Sequence, residues 1–309
     1  MVKLAFIVPL TALVELVESV ATECIRKEPL FSDANISLSI HVAKNFRSIP
    51  PQALNADVII ARGLIIAELK RIHPDLTVVE VPIGAEMPAT IIKAVEEHGK
   101  LPIAVIGSYN MVYASHGIGE AFGLDIKQYV QERNEDENLR YDMGIILRDG
   151  RKIIICGPVT YEFARTQNCY PYVLGMSQNS IRDALVRARH EAAVRRRERE
   201  KAEQLQTLLD CAQEGVIAID SHDRVTAINA VATSILNISP AKILGNDIYA
   251  LLPLGKGHDR FATEENVDLR VETNGGSLSL RKRAVNLGDR QVGHIFTILK
   301  QEPSKQNPL

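Results

Sequence analysis

Short aliphatic runs alternating with amphipathic stretches constrain the fold of this chain more than any other feature. Residues 4–8, 37–42, 57–61, 77–81, 103–106, 152–156 and 172–174 recur at the spacing of strand–helix–strand units, each bounded by turn residues. Runs apolar on both faces belong to parallel strands covered by helices on each side. Between them, Leu13, Leu16, Val17, Val20 and Cys24 follow helical spacing, Ile91, Ile92 and Val95 lie between Pro88 and Gly99, and residues 114–122 end at Gly123. These spacings predict amphipathic helices. Composition agrees: the 309 residues include no Trp and only 5% aromatics, which suits α/β layers better than an all-β sandwich.

Two segments admit alternatives. Lys3, the apolar residues 4–14 and Ser19-Val20-Ala21 together have the outline of a secretory leader. Pro9 and Thr11 interrupt that run, and the strand–turn–helix order matches the units that follow, so a strand over 3–8 and a helix capped by Thr11 are expected. Residues 134–156 fit either a hairpin around Asp149-Gly150 or a helix over 135–147 running into a strand. Acidic Glu135, Asp136 and Glu137 at the start and Arg148 at the end complement a helix dipole and favour the helix.

Charge and motifs exclude several functions. A net charge of −2 does not make the whole chain an electrostatic nucleic-acid binder. No stretch reaches the ~18 apolar residues of a membrane span. Cys24, Cys156, Cys169 and Cys211 form no CxxC pair and read as four buried, reduced thiols of a cytoplasmic protein. No GxGxxG follows the first strand, and no GxxxxGK[ST] loop occurs, so P-loop ATP hydrolysis by this chain is not expected. His116 is solitary and fits a structural or surface role.

In open parallel sheets ligands bind beyond the carboxyl ends of the strands. The loops there are Pro9-Leu10-Thr11, Ala61-Arg62-Gly63, Pro82-Ile83-Gly84, Gly107-Ser108-Tyr109-Asn110 and Gly157-Pro158-Val159-Thr160. Thr11, Arg62, Gly63, Gly84, Ser108, Tyr109, Asn110, Gly157 and Thr160 are the candidate ligand-binding residues. Taken singly, Thr11, Ser108 and Thr160 are equally well N-caps; convergence of five such loops predicts a pocket.

Residues 179–211 read as one uninterrupted helix. Its middle, 187–203, carries seven basic and four acidic residues. A seam of Ile181, Leu185, Ala188, Ala192, Arg195, Arg199 and Ala202 suits a marginal parallel dimer; a solvated helix bridging two domains is the simpler reading. Next come a hairpin (Gly215–Asp220, Val225–Ile228), a short helix over 229–236, a turn at Ile243-Leu244-Gly245, and strands over 266–272, 276–285 and 291–299, with turns at Asn274-Gly275 and Gly288-Asp289. That order predicts an α+β sheet domain.

Gly215–Asp220, Asp223-Arg224, Ile228-Asn229-x-x-Ala232 and Leu244-Gly245 resemble a PAS domain. The first 190 residues resemble the receptor domain of propionate catabolism operon activators. The resemblance lies in the first strand and helix, Val58-Ile59-Ile60-Ala61-Arg62-Gly63, Ile103-Ala104-Val105-Ile106-Gly107, residues 153–158, and Ser177-x-x-Ser180-Ile181-Arg182-x-Ala184-Leu185. It implies the sensory half of a sigma-54-dependent transcriptional activator, with a two-lobed α/β receptor around a small-molecule cleft. It also implies an organic-acid ligand, 2-methylcitrate in the namesake case, that relieves repression of an ATPase. The sequence ends at Leu309 without the ATPase or helix-turn-helix, so the chain is expected to be the sensory half of a longer protein or a naturally short relative, with DNA and RNA polymerase holoenzyme as partners only through output domains outside this chain.

The expected architecture is a two-lobed parallel-sheet receptor over residues 1–178, a signalling and dimerisation helix over 179–210, a PAS domain over 211–301 and a polar tail over 302–309. The expected function is ligand sensing without catalysis, in a cytoplasmic homodimer paired through the helix and PAS domain, with no membrane partner. Rival readings are a racemase- or lyase-type enzyme, for which Cys156 lacks a matching cysteine in the other half, and a dimerisation scaffold without ligand. No cofactor is predicted; His222, His258 and His294 keep haem open on residue type alone, and flavin stays open too.

Overall fold

The computed structural model describes residues 2–27, 36–132, 136–250, 263–273 and 276–301. The chain divides into two compact units, residues 1–196 and 197–309.

The first unit contains two four-stranded parallel sheets of the same strand order. In the first lobe, β1 (Val2–Val8), β2 (Ile36–Val42), β3 (Val58–Ala61) and β4 (Val78–Glu80) are ordered β2-β1-β3-β4. Central strands are buried on both sides, which is why residues 4–8 of β1 and all of β3 are apolar. Leu4, Phe6 and Val8 cluster with Val17, Val20 and Cys24 of α1 (Ala12–Lys27). Ala5 and Ile7 face the opposite way, with Ala53 of α2 (Pro51–Leu54) and Ile65, Ile66 and Leu69 of α3 (Leu64–Ile72).

The chain then passes through α4 (Glu86–His98) into the second lobe. Its strands β5 (Ile103–Gly107), β6 (Ile126–Val130), β7 (Ile153–Cys156) and β8 (Tyr170–Val173) are ordered β6-β5-β7-β8. Met87, Ile91 and Ala94 of α4 cover one face. α5 (Tyr109–Tyr113) and α6 (Ile118–Phe122) follow β5. α7 (Asp136–Arg148) and α8 (Pro158–Ala164) supply Met143, Ile146 and Ala164 to the other face.

The expected parallel-sheet architecture is therefore present, with three local differences. Residues 136–148 form the helix and not the hairpin. The expected helix over 114–122 is helical only from Ile118: residues 114–116 form turns, and Gly117 takes a left-handed conformation (φ 77°) at the N-cap of the helix that follows. β6 was not anticipated: it is an edge strand whose Lys127 and Gln128 are exposed, so it lacks the aliphatic signature of the central strands.

α9 (Gln178–Asp210) is continuous across the boundary between the units. Ser177 caps it, its Oγ accepting the Ser180 N–H at 3.1 Å. Ile181, Ala184, Leu185, Ala188 and Ala192 are buried in the first lobe's own core, and Arg182 pairs with Glu23 of α1 at 3.0 Å. The apolar half of the seam expected to pair two copies is thus spent within the chain, whereas Arg195, Arg199 and Ala202 lie exposed.

The second unit is a five-stranded antiparallel sheet. β9 (Gly215–Asp220), β10 (Val225–Ile228), β11 (Val267–Thr273), β12 (Gly276–Leu287) and β13 (Arg290–Gln301) are ordered β10-β9-β13-β12-β11. α10 (Ala230–Leu236) and α11 (Pro240–Ile243) follow the first hairpin. The loose sequence motifs acquire physical reasons here. Asn229, fully buried, caps α10 by accepting the Ala232 N–H at 2.9 Å, accepts the Val216 N–H, and donates to Leu209 O and Glu214 O. Gly215 admits α10 closely, since a Cβ there would lie 2.9 Å from Ala232 Cα. Asp220 Oδ1 accepts the His222 and Arg224 N–H groups around Asp223, whose φ is 60°. The expected turn at Asn274-Gly275 lies outside the described residues.

Two substitutions test this framework by urea unfolding with hydrogen exchange resolving the two units. Leu185→Ala costs the first unit about 3 kcal/mol. Asn229→Ala removes four hydrogen bonds between a buried carboxamide and the backbone and costs the second unit about 3 kcal/mol or more.

Candidate functional site

The carboxyl ends of all eight strands of the first unit converge on one cavity of about 210 Å³. Its wall takes Pro9 and Leu10 after β1, Lys44 after β2, Arg62 and Gly63 after β3, and Ile83 after β4. From the second lobe come Ser108 and Met111 after β5, Gln131 after β6, Gly157 to Thr160 after β7, and Leu174 to Met176 after β8. Both sheets reverse strand order about β1 and β5 respectively, and the loops at those switch points leave a crevice.

Of the nine candidate residues, Arg62, Gly63, Ser108, Gly157 and Thr160 line this cavity. Thr11, Gly84, Tyr109 and Asn110 do not. Thr11 is exposed at the start of α1. Tyr109 is 66% exposed and stacks on Tyr113 at 5.9 Å. Asn110 turns to the other lobe and donates from Nδ2 to Glu80 Oε2. Gly84 lies beside Glu86 and Ser180, within 4 Å of which a Cβ would fall. Helical rotation separates neighbours in one loop, so adjacent residues cannot all face one cavity.

Gln131, Lys44 and Met111 are wall residues that sequence reasoning missed. Gln131 follows the unanticipated β6, and the recognisable signal was the strand itself. It is 3% exposed. Thr160 Oγ1 donates to its Oε1 at 3.2 Å, while Nε2 has no partner. Ser108 stands at the N-cap position of α5 but makes no capping bond, and its Oγ is also buried without a partner. Lys44 is exposed at the rim.

Arg62 is not a free anion receptor. Its Nη2 bonds Glu86 Oε1 at 2.9 Å and its Nη1 donates to Gly175 O at 2.6 Å. The pair is about nine-tenths buried on both sides. Ser180 Oγ donates to the same Glu86 oxygen at 2.8 Å. Burial lowers the Arg62 pKa, with the Glu86 charge opposing. Burial alone would raise Glu86; backbone N–H groups of Glu86 and Gly84, the Ser180 hydroxyl and the Arg62 charge outweigh it and hold the carboxyl below its ordinary range. One carboxylate thus joins β3, the start of α4 and the first turn of α9.

The remaining chemistry is quiet. Cys156 is buried in β7 outside the cavity wall, its thiol donating to Tyr172 O at 3.7 Å, and burial raises its pKa. Of the four thiols expected to be buried, only Cys24 and Cys156 are; Cys169 is half-buried and Cys211 exposed. In the second unit His222 sits in the exposed β9–β10 turn. His294 lies on β13 with Nε2 2.8 Å from Gln291 Nε2. His258 lies outside the described residues. No helix among the described residues is long and apolar enough to cross a membrane.

Two parallel-sheet lobes about a cleft, followed in the chain by a long helix and an antiparallel PAS-like sheet, have the form of a sensory region. The family model described as "Propionate catabolism activator" matches residues 38–198, and a PAS-domain model matches residues 203–271. The chain belongs to the propionate catabolism activator family, and a receptor of that family followed by PAS is the sensory region of a regulator. Among solved structures it is similar to an NtrC family transcriptional regulator from Clostridium acetobutylicum, at 18% identity over 63% of this chain and 98% of that one, TM-score 0.49. It is also similar to the PAS domain of BvgS from Bordetella pertussis, at 14% identity over 34% and 89%, TM-score 0.29. Nothing matches among the curated proteins.

The depressed Glu86 pKa has a defined pH signature. A carboxyl whose folded pKa lies below its unfolded value, about 4.3, contributes fully above that value and loses its contribution as pH falls through the folded one. Acid titration of stability is therefore expected to fall more steeply below about pH 4 in the parent than in Glu86→Gln, whose difference curve isolates this group.

Proposed function

We propose that the first unit is the small-molecule receptor of a cytoplasmic transcriptional regulator, that its ligand is an organic acid, and that occupancy is relayed through α9 to the PAS domain. The convergence of eight strand ends on one cavity, beside an ion pair that reaches the first turn of α9, carries this reading. Arg62 and Glu86 span the two places where the chain passes between lobes, before α4 and before α9. A ligand that binds one lobe arrangement better than the other shifts their balance by its difference in affinity, and Ser180 passes the movement to the helix.

On this reading the chain is not an enzyme. An acid/base mechanism of the racemase type needs an ionisable thiol facing the cleft, and Cys156 is buried in the sheet with its pKa raised. The PAS domain works without a cofactor. Two copies pair through the PAS domain and the last turns of α9, where Leu205 and Leu208 are 61% and 68% exposed.

Calorimetry and thermal unfolding of the full chain with a panel of C3–C8 carboxylic acids test the receptor. A bound acid raises the melting temperature of the first unit; no heat and no shift across the panel overturns the reading. The relay is read by hydrogen exchange in α9. Ligand alters protection over residues 181–192 in the parent, while Ser180→Ala binds the ligand and leaves that protection unchanged.

A further inference from the structure

The polar groups of the cavity wall are few and unevenly placed, which restricts its occupant. Arg62 is already neutralised by Glu86 and held to Gly175 O. Lys44 is exposed at the rim, and among the described residues no cation besides Arg62 and Lys44 lines the wall. Leu13, Ile65, Ile83, Met111 and Leu174 make most of the remaining surface apolar. A ligand with three carboxylates would bring two charges for which this wall has no partner, and burying unpaired charge is strongly unfavourable.

Against that background two neutral polar atoms stand out. Ser108 Oγ and Gln131 Nε2 both belong to wall residues, both are shielded from water, and neither has a hydrogen-bond partner. Native interiors rarely leave such atoms unpaired, and two in one wall call for an occupant that completes them. Size follows from volume: a 150 Å³ apolar cavity holds benzene, so about 210 Å³ accommodates about nine heavy atoms.

We infer that the cavity takes a compact, largely apolar molecule with a single carbonyl or carboxylate end, which accepts a hydrogen bond from Gln131 Nε2 and meets Ser108 Oγ. On this inference the occupant is not a tricarboxylate such as 2-methylcitrate. This deepens the receptor reading above and rests on it.

Benzoate, benzamide and citrate serve as probes on the full chain. Benzoate and benzamide are expected to titrate at one site and raise the first unit's melting temperature, and citrate to do neither. Gln131→Leu and Ser108→Ala each weaken both aromatic probes by about tenfold, while Tyr109→Ala leaves them unchanged. Should Gln131→Leu fail to fold by circular dichroism, Ser108→Ala decides. Citrate binding with both aromatic probes silent overturns the ligand class and leaves the receptor standing. Silence of all three overturns the ligand class, and silence across the acid panel removes the receptor as well. Unchanged affinity in a folded Gln131→Leu or Ser108→Ala overturns their role.

Discussion

The Arg62–Glu86 pair is the interaction on which the arrangement of the first unit depends. Two lobes of the same strand order are joined by two chain crossings, one leading into α4 and one into α9. Arg62, at the end of β3, reaches both: Glu86 opens α4, and Gly175 precedes α9. A buried ion pair adds little net stability relative to an apolar substitute, yet losing one partner leaves an uncompensated charge. Its contribution is geometrical. It ties β3, the start of α4 and the approach to α9 together by directional contacts, beside the apolar packing of those helices.

The same logic recurs at the far end of α9. There the buried Asn229 carboxamide takes up Leu209 O and Glu214 O while capping α10, and Asp210 accepts the Ala230 N–H at 2.9 Å. The helix is thus held at its first turn by the Ser177–Ser180–Glu86 chain and at its last by Asn229. Ile181 to Ala192 lie against the first lobe's core, and from residue 193 to 208 the helix is exposed and mostly polar or charged. Directional polar contacts sit where orientation matters, and undirected apolar burial supplies the rest.

Central strands were legible because burial on both faces leaves an unbroken aliphatic run, as in Ile103–Gly107 and Ile153–Cys156. The edge strand β6 has one flank in solvent and carries Lys127 and Gln128, so its pattern was silent, and with it went Gln131. The loops at strand ends were legible as a set, since topology alone puts them on one edge. Which side chain enters the cavity was not: Ser108 does and Asn110 does not, because direction is decided by where a helix begins. Ile181, Leu185, Ala188 and Ala192 were legible as an apolar stripe, but identical spacing serves a partner helix or a chain's own sheet. Only the fold distinguishes them.

The unbroken run of α9 also carries angular information. Each residue turns the helix by about 100°, so only one stripe of it, running from Ile181 to Ala192, can face the first lobe's core. Recombination that joined this receptor to another PAS module would have to cut in the solvated stretch after Ala192, since a cut before it strips a wall from the first lobe. It would also have to keep the last turn of the helix with the second unit, since Asn229 bonds Leu209 O there.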